Sequence, residues 1–279
     1  MELVDTHCHL NFRNYDSDRA QALQRARAAD IVRIIVPAID LDSCRQALKL
    51  AASYEDIFAS VGIHPNCSGG FADSTLKPLR QLASNAKVVA IGEIGLDYHW
   101  DKSPKPTQWR AFESQLRLAS ELELPVIIHN REASDDLMAM LENWAPGAAA
   151  SLHGRLGVLH SFSASGEIAE RALALGFCLG FTGPVTYKKA DELREIARRS
   201  PINRILIETD GPFLAPQQRR GKRNEPAYLH YINQKLAELH RVTPAEMARQ
   251  TTCNAERLFS WPGVDPFQRH ALSKAARGA

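Results

Sequence analysis

The chain has 279 residues, 44% of them hydrophobic and 24% charged, and a formal net charge of +2. It carries enough apolar material for a large core and too little net charge to coat nucleic acid generally, so any anion-binding surface must be local. Five dispersed cysteines (Cys8, Cys44, Cys67, Cys178 and Cys253) show no Cys-x-x-Cys spacing, which argues against a disulfide framework or a four-thiolate zinc site and for a reducing, cytoplasmic setting.

Met1 leads directly into "ELVDTH" (2–7), with no basic segment followed by an apolar stretch, so a secretory leader is not expected. No apolar run approaches the ~18 residues of a membrane span. Further β-branched runs follow: "RIIVPA" (33–38), "IFASVGIHP" (57–65), "VVAIGEIG" (88–95), "PVIIHN" (125–130), "GVLHSF" (157–162), "FCLGFTG" (177–183) and "RILIETD" (204–210). Helical patterns lie between them. "DSDRAQALQRARAAD" opens on an Asp or Ser cap, and "PTQWRAFESQLRLASELE" places Trp109, Phe112, Leu116 and Ala119 on one stripe, read as core contact. "SGEIAERALALG" ends on Gly176, a natural helix stop. After the eighth run come two more helices, the second with a Thr243 cap and Pro244 at its first position. The tail "QRHALSKAARGA" reads as frayed. Near-continuous apolar runs alternating with helices predict a parallel sheet covered on both sides, and eight is the number at which such a sheet closes into a (β/α)8 TIM barrel. A doubly wound open sheet is the alternative, weakened by the absence of a Gly-x-Gly-x-x-Gly turn after the first strand. With no repeat or linker, a single domain over 1–279 with additional C-terminal helices is expected.

Position makes the polar residues informative. His7 and His9 end the first run, His64 the third, Glu93 the fourth, His129 the fifth, His160 the sixth and Asp210 the eighth. In a barrel, all C-terminal strand ends converge on the face where active sites are built. Four imidazoles and two carboxylates buried together would be costly without a counter-ion, and a divalent cation removes that cost. A donor set of histidine and carboxylate without thiolate suits Zn, Mn, Fe, Ni or Mg in different degrees. Six side chains exceed one open tetrahedral site, and two ions ~3.5–4 Å apart with a shared carboxylate fit the count better. His64, next to Pro65, is expected outside the metal shell, either on the substrate side or shaping the turn. Asp5 is expected to support the site from behind or to accept a core hydrogen bond, and Asp97 to hold Tyr98, His99 or a backbone turn.

The ordered series "DTHCHL", "GIHP", "GEIGLDY", "PVIIHNREA", "HSFSAS", "ETDGPFL" and "GKRNEP" resembles the TatD-type metal-dependent deoxyribonucleases, a branch of the amidohydrolase-like TIM-barrel hydrolases, from about residue 3 to 261. The resemblance implies two divalent ions (Mg, Mn or Zn) held by His7, His9, Glu93, His129, His160 and Asp210. His7 and His9 would hold one ion, His129 and His160 the other, and Glu93 would bridge them. Asp210 would bind a metal or orient the attacking water and take its proton, so Glu93 and Asp210 are the expected catalytic residues. The implied activity is 3′-5′ exonucleolytic hydrolysis of DNA, on single strands or 3′ ends, with no obligate protein partner.

Phosphate needs further donors. "RRGKRNEP" (219–226) offers Lys222 and Arg223, besides Arg219 and Arg220, and Arg131 follows His129 toward the same mouth. Tyr98, Trp100, Phe162 and Phe213 near strand ends could stack exposed bases or simply wedge loops together. Two other readings stand beside the nuclease: a dinuclear hydrolase of a small amide, lactone or ester, and a non-catalytic metal-bound subunit.

Overall fold

The computed structural model describes residues 1–100 and 102–261. Eight parallel strands neighbour one another in chain order: β1 (Leu3–Asp5), β2 (Ile31–Pro37), β3 (Ile57–Val61), β4 (Val88–Asp97), β5 (Val126–Arg131), β6 (Gly157–Leu159), β7 (Cys178–Phe181) and β8 (Ile205–Ile207). The last returns beside the first. The Thr6 N–H donates to the Ile207 carbonyl at 3.3 Å and the Asp210 N–H to the His7 carbonyl at 2.8 Å, while Cys8 bridges Gly211 in parallel. The sheet therefore closes as a barrel, not the open doubly wound alternative.

Helices α1 (Arg19–Ala28), α2 (Leu41–Ser53), α3 (Leu76–Ala83), α4 (Lys105–Glu121), α5 (Ser134–Trp144), α6 (Gly166–Leu175) and α7 (Asp191–Arg199) fill the crossovers, and α8 (Leu229–His240) and α9 (Pro244–Phe259) follow β8. Their ends follow local chemistry. Thr243 Oγ1 accepts from the Glu246 N–H and the Glu246 carboxylate accepts from the Thr243 N–H, a reciprocal cap with Pro244 at the first turn. Gly176 takes φ 95° after α6, where a side chain would be strained. In α4 the predicted stripe holds for Phe112, Leu116 and Ala119, which are buried, but Trp109 is 40% exposed. It sits at the helix start, where its indole N–H donates to the Tyr98 hydroxyl at 2.6 Å, so it belongs to the rim instead of the core. No described helix is long and apolar enough to cross a membrane. The tail from residue 262 lies outside the described residues.

Every strand contributes to one apolar cluster separate from the helix-facing core: Val4, Ile35, Phe58, Val89, Ile127, Val158, Cys178 and Leu206, joined by Ala255, Leu258 and Phe259 from the end of α9 and by Trp261 just after it. One residue from each of eight strands is the interior of the barrel, and α9 plugs its N-terminal end. Strand side chains repeat every two residues, so the next interior position toward the C-terminal end is His129 after Ile127, His160 after Val158, and Glu208 then Asp210 after Leu206. The same alternation that fills the lower barrel with hydrocarbon delivers polar groups to its upper mouth.

Candidate metal centre

β1, β6 and β8 stop their ladders early, so His7, His9, His160 and Asp210 lie just beyond the last paired residue while Glu93 and His129 remain on β4 and β5. Gly95 lets β4 approach β5 here: at φ 144° a Cβ would stand 2.0 Å from the His129 carbonyl oxygen. Asp210 is itself at φ 54° and Ser161 at φ 44°. This conformation is uncommon for a side-chain-bearing residue, and hydrogen bonds hold it: Asp210 N–H to His7 O, Phe213 N–H to Asp210 O, and Ser161 N–H to Glu208 Oε2 at 3.0 Å.

The six side chains meet. His7 Nε2 and His9 Nε2 are 3.3 Å apart. Glu93 Oε2 lies 3.4 Å from the first and 3.7 Å from the second, and Asp210 Oδ1 lies 3.8 and 3.6 Å from them. The other oxygen of Glu93, Oε1, is 2.8 Å from His129 Nδ1, 3.5 Å from His64 Nε2 and 3.9 Å from His160 Nε2. His160 Nε2 is equally 3.9 Å from Asp210 Oδ1, and the His7 and His160 rings stack at 3.5 Å. Most of these separations are long for hydrogen bonds; they run from the ~3–3.5 Å between donors that share one cation at ~2.1 Å to a few tenths of an ångström beyond it. His7 and His9 turn Nε2 to the centre, and their Nδ1 atoms, on the far side of each ring, are buried without a partner among the described residues. The donor set fits divalent cations, with Glu93 facing a different group of nitrogens on each side.

Electrostatics follow from the crowding. Burial would raise the Glu93 carboxyl, but His64, His129 and His7 outweigh it and hold Glu93 well below the usual range. Burial and neighbouring His7 push His9 well down. Despite burial, Asp97 and Glu93 raise His129, and Glu208, Asp210 and Glu93 raise His160 to about 9. Asp210 is raised by burial, with Glu93 and Glu208 adding to it against His160 and His7.

A supporting ring fixes the tautomers. His160 Nδ1 donates to Glu208 Oε2 at 2.9 Å, and His129 Nε2 donates to Asp97 Oδ2 at 3.0 Å, leaving the opposite nitrogen of each ring turned to the centre. Glu208 is fully buried and also accepts from Thr6 Oγ1. Gly180 makes its room, since a Cβ there would lie 2.3 Å from Glu208 Oε1. Asp97 also takes the His99 and Trp100 N–H groups on Oδ1. Asp5 accepts from the Thr209 hydroxyl at 2.5 Å and the Thr209 N–H at 3.0 Å, tying β1 to β8, and burial raises its carboxyl to about 7 despite these bonds. Sequence reading missed Glu208 altogether, although its place two residues after Leu206 and two before Asp210 marks it as inward-facing.

His64 differs from the others. Its Nδ1 accepts the Asn66 N–H at 3.1 Å, so the neutral ring carries its proton on Nε2, the nitrogen facing Glu93. That makes His64 a donor into the site and not a lone pair for a metal.

The basic loop is largely committed. Arg223 forms a two-pronged pair with Asp18, at 2.5 and 2.8 Å, and its guanidinium lies 4.4 Å from the Tyr15 ring centroid. Arg219 stacks over Tyr228 and Tyr231, and Arg220 over Tyr187. The expectation of Arg223 as a free phosphate donor therefore gives way to an anchoring geometry, because its charge already has an acid partner. Lys222 is exposed and pairs with no acid among the described residues. Arg131 makes no ion pair among them either, its guanidinium lying 5.7 Å from the Trp100 ring centroid.

A parallel barrel whose mouth gathers buried imidazoles and carboxylates around shared oxygens is the architecture of a metal-dependent hydrolase. The chain belongs to the TatD family: the family model described as TatD related DNase matches residues 4–260. The uncharacterized metal-dependent hydrolase YabD of Bacillus subtilis is 43% identical over 257 residues, spanning 92% of this chain and 98% of that protein. The 3′-5′ ssDNA/RNA exonuclease TatD of Erwinia tasmaniensis is 36% identical over 264 residues, spanning 92% and 100%. The crystal structure of YjjV, a TatD homolog from Escherichia coli, aligns with a TM-score of 0.86 at 35% identity, covering 93% of this chain and 98% of that one.

Proposed function

We propose that this protein is a two-metal phosphodiesterase that shortens single-stranded DNA from its 3′ end. The observation that carries the reading is Glu93, whose Oε2 faces His7 and His9 while Oε1 faces His129 and His160. A carboxylate set between two nitrogen groups is what a bridged pair of ions needs. His7 and His9 would hold one ion, His129 and His160 the other, with Asp210 reaching the first pair and His160. Bound there, divalent cations supply Lewis acidity, making water a competent nucleophile near neutral pH and offsetting charge on phosphoryl oxygens.

The residues do the rest. Asp210, whose raised carboxyl suits a proton acceptor, takes the proton of the attacking water as the new oxygen–phosphorus bond forms and the bond to the leaving 3′-oxygen breaks, and that oxygen takes up a proton from solvent. His64 donates its Nε2–H to a non-bridging phosphoryl oxygen, where charge builds in the transition state. Arg131 and Lys222 neutralise neighbouring phosphates. The Erwinia relative named an exonuclease supports the substrate class.

The test is metal-stripped protein on 5′-labelled single-stranded DNA, with Mg, Mn and Zn restored separately. A ladder shortening from the 3′ end is expected, and no product with any metal would overturn the nuclease. Metal analysis should find two ions per chain, and fewer in Glu93→Gln. The engagement of Arg219, Arg220 and Arg223 within the protein favours a second reading, hydrolysis of a small neutral ester, amide or lactone, for which activity would barely change with salt.

A further inference from the structure

We propose that Trp100 and Phe213 form a two-sided clamp for unpaired bases across the barrel mouth, setting a preference for single strands without reading sequence. The clamp deepens the nuclease reading and rests on it.

Among the described residues the exposed large apolar side chains are Met1, Trp100, Trp109 and Phe213, and two of these stand at the mouth, Trp100 at 48% and Phe213 at 50% exposure. Trp100 follows β4 and Phe213 follows β8. In a barrel of eight strands these are four apart in either direction, so the two residues stand on opposite sides of the mouth around the metal centre.

Each ring is tied to the centre through its own backbone. The Trp100 N–H donates to Asp97 Oδ1 at 3.1 Å, and the other oxygen of Asp97 holds His129. The Phe213 N–H donates to the Asp210 carbonyl at 2.9 Å. Phe12 stacks on His9 at 4.4 Å, and Phe213 meets Phe12 at 6.2 Å and His9 at 6.3 Å edge-to-face while half of its surface stays exposed. The opposite shoulder adds charge: the Arg131 guanidinium lies 5.7 Å and the Lys102 ammonium 5.8 Å from the Trp100 ring.

An aromatic face flanked by cations on one side, and a bare aromatic pair on the other, matches consecutive nucleotides with the scissile phosphate between them. Every base has a π-face, so such a clamp tolerates any sequence. In a duplex those faces are already stacked, so paired ends enter poorly.

The experiment uses the metal-loaded protein and a 5′-labelled single-stranded 12-mer, intact or with abasic residues at its last two positions. Trp100→Ala and Phe213→Ala should each raise KM for the intact strand by about tenfold, with kcat changing less. The strand abasic at both positions should show the combined penalty of the two variants on the unmodified protein, and on each variant only the share that belongs to the remaining ring, because strand and ring changes remove the same interactions. Unchanged metal content and thermal melting would show that the variants fold. If the unmodified protein cleaves the strand while both variants keep KM within twofold, or if abasic and variant penalties multiply independently, the clamp is wrong and the nuclease stands. If the unmodified protein cleaves no nucleic acid, both fall.

Discussion

His160 Nδ1 sits 2.9 Å from Glu208 Oε2, and Glu208 is fully buried behind it. This carboxylate has no path to a substrate. Its contacts are His160, the Ser161 N–H and Thr6, so its task is to present His160 Nε2 to the centre in a single tautomer. Glu208→Gln preserves shape but removes the charge that makes the imidazole a stronger donor. Metal affinity should fall roughly 10- to 100-fold, measured by competition with a chromogenic chelator, while KM at saturating metal changes little. Unaltered metal affinity would reduce Glu208 to a packing residue.

The same pair sets an alkaline dependence in the metal-free protein. Despite burial, Glu208, Asp210 and Glu93 raise His160 to about 9 from its ordinary 6.5. A raised histidine contributes its stability in full below the unfolded value near 6.5 and loses it as pH climbs through 9. The whole window is worth at most about 3 kcal/mol, or roughly 5–10 °C of melting temperature for a chain of this size. Chelator-treated protein should therefore melt lower at pH 9.5 than at pH 7, whereas metal-loaded protein, which has already expelled the proton, should not. Glu208→Gln should flatten the metal-free curve. A metal-free melting temperature constant from pH 7 to 9.5 would be incompatible with this account.

The strand-end positions of His7, His9, His129, His160, Glu93 and Asp210 were legible in the sequence because each interrupts or follows an apolar run, and eight runs imply one converging edge. Glu208 was not, since Asp210 two residues later already ended that run with a carboxylate. Reading β8 by its period of two instead of by its end separates the inward set Leu206, Glu208 and Asp210. Asp97 as the holder of His129, 32 positions away, has no local signal. Nor does Asp18 as the partner of Arg223 across 205 positions, and a basic loop read without its tertiary acids looks freer than it is. Trp109 kept helical spacing, but its indole N–H turns to the Tyr98 hydroxyl beside the face that buries Gln108 against Asp97.

That loop yields a paired prediction. Lys222→Ala should leave melting unchanged, weaken single-stranded DNA binding similarly for every sequence, and lower the slope of log affinity against log salt by about 0.7. Arg223→Ala should behave differently. It leaves Asp18, whose carboxyl is held low by Arg223 and Arg25, with Arg25 as its one cation partner among the described residues, and it frees a loop packed on Tyr15. The expected outcome is a lower melting temperature and higher KM, with the salt slope little changed. A loss of about 0.7 from the slope in Arg223→Ala would return it to the phosphate donors.

His64 separates ligand from donor. Proximity alone groups its Nε2 with Glu93 and His129 as a cation site, but the Asn66 N–H on Nδ1 commits the ring to an Nε2–H. Burial, with His129 next to it, lowers its pKa, so the ring stays neutral and keeps that proton. A donor role predicts that His64→Ala retains both ions by elemental analysis yet loses roughly a hundredfold in kcat, the usual effect of deleting one transition-state donor. Glutamine places an amide N–H near the position of Nε2, so His64→Gln should recover part of that loss. A metal ligand would behave in the opposite way: His64→Ala would release an ion and excess metal would restore turnover. Loss of one equivalent of metal from His64→Ala, with activity rescued by added metal, would therefore move His64 from the substrate side of Glu93 to the metal side.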